Sequence, residues 1–171
     1  MSFLNVEIKA RLRNSTFINQ YLTAKEARFV GIDTQTDTYF KVAFGRLKLR
    51  EGTIENNLIF YTRANQAGPK SSHFQLLKIN EPEQLKQILT DANGIKVVVV
   101  KKRSIYFIEN VKFHIDEVEH LGSFVEIEAS NLYADVDATT LKNQCDFYRK
   151  ELEIKDEDLI QNSYSDMMLQ R

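Results

Sequence analysis

The chain has 171 residues, of which 43% are hydrophobic and 27% charged, and a formal net charge of −1. That size suits one domain with a substantial core, and the near-neutral balance excludes the broad basic field that binds nucleic acid irrespective of sequence. Cys145, the sole cysteine, excludes an intramolecular disulfide and a cysteine-rich metal site.

The amino-terminal stretch MSFLNVEIKA lacks the apolar run of a secretion signal. The most apolar run, VVVV at 97–100, is too short to span a bilayer. The expectation is a cytoplasmic protein with no membrane partner. In chain order, a strand at 3–13 comes first. Asn14 and Ser15 then cap a helix whose apolar face is Phe17, Ile18, Tyr21 and Leu22. Strands follow at 36–43, 45–51, 57–64 and 71–79, with turns at Asn56-Asn57 and Ala67-Gly68-Pro69. Glu81-Pro82-Glu83 places acids and a proline in the first turn of a second helix, which runs through Leu85, Ile88 and Leu89 to Gly94. Three more strands, at 95–108, 110–119 and 122–130, are joined by turns at Glu109-Asn110 and Leu121-Gly122. Two further helices cover roughly 138–152 and 156–169. No linker interrupts the chain, so 1–171 reads as a single α+β domain dominated by antiparallel strands. VEIKA at 6–10 returns as VEIEA at 125–129, which suits two similar strands facing each other.

The alternation within these strands is inside-out. In GRLKLRE, Arg46, Lys48 and Arg50 share one face and Leu47 and Leu49 the other. Asn5, Glu7 and Lys9 line up opposite Val6, Ile8 and Ala10. Tyr61 pairs with Arg63, Lys101 with Arg103, and Phe124, Glu126 and Glu128 share a face. Lys112, His114 and Asp116 form another such row. A half-exposed sheet with its polar face in water produces similar patterns. Here the polar faces are heavily ionic and sorted by sign, cations in GRLKLRE and VVKKRSI, carboxylates in FVEIE. Eight strands can close into a barrel, and the charged faces would then line its interior. Like charges about 4 Å apart repel by roughly 4 kcal/mol at an effective dielectric near 20, so such an interior calls for a multiply charged anion. Carboxylates without cations of their own would hold Mg2+ or Mn2+ through oxygen. The residues therefore point to a triphosphate or polyphosphate inside a β tunnel, in the layout used for phosphoryl transfer.

NVEIKARL, QTDTYFKVAFGRLKLRE, LIFYTRANQAGPK, VVKKRSIYFIENVKFHIDEVEHLGSFVEIEA and the terminal LIQNSYSDMML together resemble the CYTH superfamily, the triphosphate tunnel metalloenzymes, over nearly the whole chain. The likeness is strongest to bacterial class IV adenylate cyclase-like proteins. It implies an eight-stranded antiparallel closed β-barrel with helices packed on the outside, binding a triphosphate and a divalent metal. Of the family's E-x-E-x-K signature, Glu7 and Lys9 match the second glutamate and the lysine, while Asn5 stands at the first glutamate. Asparagine offers a carbonyl oxygen without charge, so the metal weight falls on Glu7, Glu126 and Glu128. The family's cationic positions map onto Arg46, Lys48, Arg50, Arg63, Lys78, Lys101 and Arg103 as substrate-binding residues. Lys9 and Asp116 are the expected catalytic residues, with a phosphate contact for Lys9 and an arginine-orienting role as the alternative for Asp116.

The resemblance implies conversion of ATP to cyclic AMP and pyrophosphate. The alternative is hydrolysis of inorganic tripolyphosphate, thiamine triphosphate or a nucleoside triphosphate. Asn5 also keeps open a non-catalytic polyphosphate- or nucleotide-binding module. The resemblance leaves a homodimer open.

Overall fold

The computed structural model of the protein describes residues 1–63 and 65–171. Eight strands, β1 (Phe3–Arg11), β2 (Arg28–Phe40), β3 (Arg46–Gly52), β4 (Asn57–Arg63), β5 (Lys70–Lys78), β6 (Ile95–Ile108), β7 (Val111–Val118) and β8 (Gly122–Ser130), close into a barrel in the order β1-β5-β4-β3-β2-β6-β7-β8. Every neighbouring pair is antiparallel. Closure satisfies the strand edges that an open sheet would leave unpaired. Helices α1 (Ser15–Ala24), α2 (Pro82–Asn93), α3 (Ala138–Glu151) and α4 (Tyr164–Leu169) lie outside it. None is long and apolar enough to cross a membrane.

The larger apolar core sits between barrel and helices. Val6, Ile8 and Ala10 of β1, Val111 and Phe113 of β7, and Val125, Ile127 and Ala129 of β8 face outward and are buried under Ile18 and Leu22 of α1 and Leu141 and Cys145 of α3. These helices start where the sequence places caps. Asn14 accepts a hydrogen bond from the Phe17 amide at 3.0 Å, and Asp137 one from the Thr140 amide at 2.7 Å. In α2, Pro82 fills the first turn and Gly94 ends the helix at φ 79°.

Two expected elements differ. β2 begins at Arg28 rather than 36 and ends at Phe40. Its first half carries a register shift between Phe29 and Gly31, which breaks the alternation that would reveal a strand. The helix expected over 156–169 is divided into a 3-10 turn at Asp156–Asp158 and the short α4. Between them the chain is extended, because β5 begins only at Lys70, opposite Glu7. Leu159 bridges Ala10, and the Ile160 amide donates to the Lys9 carbonyl at 2.9 Å, filling that gap in the barrel wall. The VEIKA and VEIEA strands do meet, as hydrogen-bonded neighbours in the wall: Val6 pairs with Ala129, Ile8 with Ile127 and Ala10 with Val125.

One end of the barrel is plugged. Tyr39, Tyr61, Phe74, Val99, Val118, Phe124 and Tyr164 form a second apolar cluster there, backed by Met167 and Met168 of α4. Ser163 and Asp166 close a capping box that fixes this helix in place.

Candidate functional site

The barrel encloses a cavity of about 720 Å3. At one end it reaches the buried Ser163 and Tyr164; at the other its walls include the exposed Arg28, Ile54, Lys78, Asn80 and Tyr133. It is a tunnel with one open mouth. Among the described residues, nine Lys and Arg line it against five Asp and Glu, an excess of cations.

Nearest the plug, Lys9 lies 3.2 Å from Glu126 across the β1–β8 pair, with its ammonium 3.9 Å from the centre of the Tyr164 ring. The other Glu126 oxygen accepts from Arg103 at 2.8 Å and meets His114 Nδ1 at 3.1 Å. Arg103 in turn grips Asp116 through two bonds of 2.7 and 2.6 Å, and the Tyr164 hydroxyl donates to Asp116 at 2.7 Å. Burial alone would disfavour the charge on Glu126, yet Lys9 and Arg103 hold its carboxyl well below the usual range. Burial lowers the Lys9 pKa despite Glu126. Arg63 pairs with Glu7, leaving its Nε and Nη2 buried and without partners.

Midway along, Asp37 gathers three cations. Arg50 binds it through two bonds of 2.8 and 2.9 Å, Lys101 lies at 2.6 Å and Lys48 at 3.4 Å. Burial opposes ionisation of Asp37, but Arg50, Lys101 and Lys48 outweigh it and hold the carboxyl well below its ordinary value. Nearer the mouth, Glu55 joins Arg50 at 3.1 Å to Lys112.

Of the expected site residues, Glu7, Lys9, Lys48, Arg50, Arg63, Lys78, Lys101, Arg103, Glu126 and Glu128 all line the tunnel, Lys78 on its exposed rim. Arg46 is drawn to the plugged end, where it pairs with Asp166 at 2.9 Å. Asp116 is completely buried behind Arg103, an arginine-orienting position. The expectation that cations and carboxylates stand in separate, partnerless groups is overturned: Glu7, Asp37, Glu55 and Glu126 each pair with a cation. Alternation along one strand gives a residue's face but not the strand that closes against it. Asp37, Glu55 and Lys112 carry ion pairs that the sequence reading did not assign. Asp37 was within reach, because it shares the inward face of QTDTYF with Tyr39.

The donor set suits a hard cation. Among the described residues no three His, Cys, Asp or Glu side chains are gathered for a metal. However, Glu7 faces Glu128 directly across the β1–β8 pair, and the neighbouring Asn5 Oδ1 is buried with no hydrogen-bond partner. Two opposed carboxylates and an orphaned carbonyl oxygen are the ligand types that Mg2+ or Mn2+ takes. Both Glu126 oxygens are already engaged.

The closed-ended β tunnel carries an excess of cations, a lining complementary to a small polyanion. The chain belongs to the CYTH domain family, whose model matches residues 4–164. It is 26% identical over 178 residues to a protein of Methanocaldococcus jannaschii named "putative adenylate cyclase", covering 96% of this chain and 98% of that one. A solved structure from Vibrio parahaemolyticus, described by the same name, matches with a TM-score of 0.78 at 17% identity over 97% of this chain and 98% of that one. Another, an adenylyl cyclase of Hippeastrum described in the same terms and as revealing a dominant triphosphatase activity, matches with a TM-score of 0.61 at 16% identity, covering 96% and 94%.

Proposed function

We propose that the protein is a metal-assisted enzyme acting on a nucleoside triphosphate held in the tunnel, converting ATP to cyclic AMP and pyrophosphate. The observation that carries this reading is the excess of cations over carboxylates in a barrel with a single mouth. A triphosphate enters phosphates first. Its terminal phosphate lies toward Lys9, Arg63 and Arg103, and its nucleoside stays at the mouth. The α-phosphate then falls beside Asn5, Glu7 and Glu128.

Those three residues would hold Mg2+ or Mn2+, which supplies charge neutralisation to the phosphate oxygens. The chain's own groups do the rest. Arg50, Lys48 and Lys101 hold the phosphate chain, and Asp116 and Tyr164 fix the Arg103 guanidinium. His114 donates through Nδ1 to Glu126, which leaves Nε2 as a buried acceptor without a partner. The ribose 3′-oxygen bonds to the α-phosphorus, its proton passes to solvent at the open mouth, and the bridging bond to the β-phosphate breaks. Lys9, Arg63 and Arg103 neutralise the charge gathering on the pyrophosphate.

The second reading is hydrolysis at the terminal phosphate, supported by the activity described for the Hippeastrum structure. Incubation of the purified protein with ATP, tripolyphosphate and thiamine triphosphate, each with Mg2+ or Mn2+, separates the readings. Cyclic AMP with pyrophosphate supports the cyclase, and free phosphate alone the hydrolase. Tight binding without turnover overturns both in favour of a binding module.

A further inference from the structure

We propose that Glu55 is a built-in carboxylate at the outermost anion position of the tunnel, making the site favour a phosphate chain that ends in an uncharged organic group and denying a longer linear polyphosphate any added affinity. This rests on the proposed triphosphate-binding function and adds a selectivity to it.

Glu55 spans the tunnel. One oxygen accepts from Arg50 of β3 at 3.1 Å and the other pairs with Lys112 of β7, and these strands stand three places apart around the ring. Arg50 and Lys112 are cations that an additional phosphate would otherwise bridge. Burial works against the Glu55 charge, but Lys112 and Arg50 outweigh it, so the group stays ionised.

The carboxylate is held, not merely nearby. Asp33, completely buried, accepts the amides of Ile54 at 2.9 Å and Glu55 at 3.0 Å and the Thr53 hydroxyl at 3.0 Å. Gln35 Nε2 reaches both Asp33, at 2.7 Å, and Glu55, at 3.3 Å. Asn56 closes the loop on Gly52 with bonds of 3.1 and 3.0 Å. Gly52 has to be glycine, since a Cβ there would come within 2.6 Å of Asp33 Oδ1. A flexible surface glutamate could swing away from an entering anion; one clamped through its own backbone cannot do so cheaply.

Beyond Glu55 the mouth mixes apolar side chains, Val30, Ile54, Phe107 and Tyr133, with the exposed Arg28, Lys78 and Asn80, and the Arg28 guanidinium stacks 4.8 Å from the centre of the Phe107 ring. A nucleoside or other organic group fits that lining. A further phosphate would lie against a like charge and compete with it for Arg50 and Lys112.

The test is calorimetric titration of wild type and Glu55→Gln with inorganic tripolyphosphate and tetrapolyphosphate, in EDTA at fixed ionic strength, with circular dichroism to confirm folding. Glu55→Ala serves as a second variant. In wild type the two ligands should bind within about twofold of one another, and in Glu55→Gln tetrapolyphosphate should bind at least about tenfold more tightly than tripolyphosphate. A wild-type protein that already prefers tetrapolyphosphate by tenfold, or variants with the wild-type ratio, would overturn the role of Glu55 while leaving triphosphate binding intact. Failure of every form to bind tripolyphosphate would overturn both this role and the function on which it rests.

Discussion

Arg50 holds Asp37 through two parallel hydrogen bonds of 2.8 and 2.9 Å across the β2–β3 pair, inside a barrel where both side chains are buried. This ion pair supplies, in the free protein, part of the negative charge that a bound polyphosphate would bring.

Asp37→Asn leaves Arg50, Lys101 and Lys48 facing one another without their shared anion. Breaking a buried pair from one side costs about 3–5 kcal/mol. Urea unfolding should register that loss in the free variant, and millimolar tripolyphosphate should restore more stability to Asp37→Asn than to wild type. Equal stabilisation of the two would show that the ligand does not reach these cations.

Glu126→Gln loosens Lys9, Arg103 and His114 together, since both carboxylate oxygens are committed to them. Turnover should fall by about 100-fold, the scale expected when positioned groups shift by about 1 Å. The melting temperature of the free variant should fall as well, because Lys9 and Arg103 lose a buried partner, and tripolyphosphate should restore part of it. Unaltered kcat would remove Glu126 from the site.

Asn5 marks a departure from the family signature with a local consequence. Its carbonyl oxygen is buried and unpartnered beside two opposed carboxylates. Asn5→Glu adds a third charge to that donor set. The Mn2+ concentration giving half-maximal activation should fall by about tenfold. An unchanged or higher value would place the metal elsewhere.

Lys70 gives a pH dependence whose sign is fixed. It is buried, donates to the Ile160 carbonyl at 2.8 Å, and has its pKa pushed down to about 7 by burial and then by Arg63 and Lys9. Between about pH 7 and the ordinary lysine value near 10.4, the unfolded chain binds a proton that the folded protein does not. Stability therefore rises with pH across that window, and below about 7 the cost of burying the charge is fully present. Lys70→Met should melt higher than wild type at pH 6.5, with the gap narrowing by pH 9.5. A constant gap would mean that Lys70 keeps its charge throughout.

The sequence carried much of this architecture for a physical reason. A closed barrel with helices outside reverses the usual polarity of a sheet, so Lys9, Lys48 and Glu126 betray their inward direction by alternating with Ile8 and Ala10, Leu47 and Leu49, and Val125 and Ile127. What it did not carry is adjacency around the ring. Asp37 neutralises Arg50 and Lys101 because β2 lies between β3 and β6. Glu55 reaches Lys112 because a clamped hairpin loop leans over the mouth. Neither arrangement has a periodic signature. The early half of β2 has no legible alternation because a bulge near Gly31 interrupts it, and 156–169 is not one helix because Leu159 and Ile160 pair with the barrel instead.

Convergence of cations from separate strands on one phosphate chain, as proposed above, is open to direct measurement. The direct measurement is calorimetric titration of wild type and of Lys101→Gln/Arg103→Gln with inorganic tripolyphosphate over a series of salt concentrations. Binding should be one-to-one, weaken as salt rises and fall at least about 100-fold in the double variant. Salt-independent binding, or equal affinity in the two proteins, would contradict it.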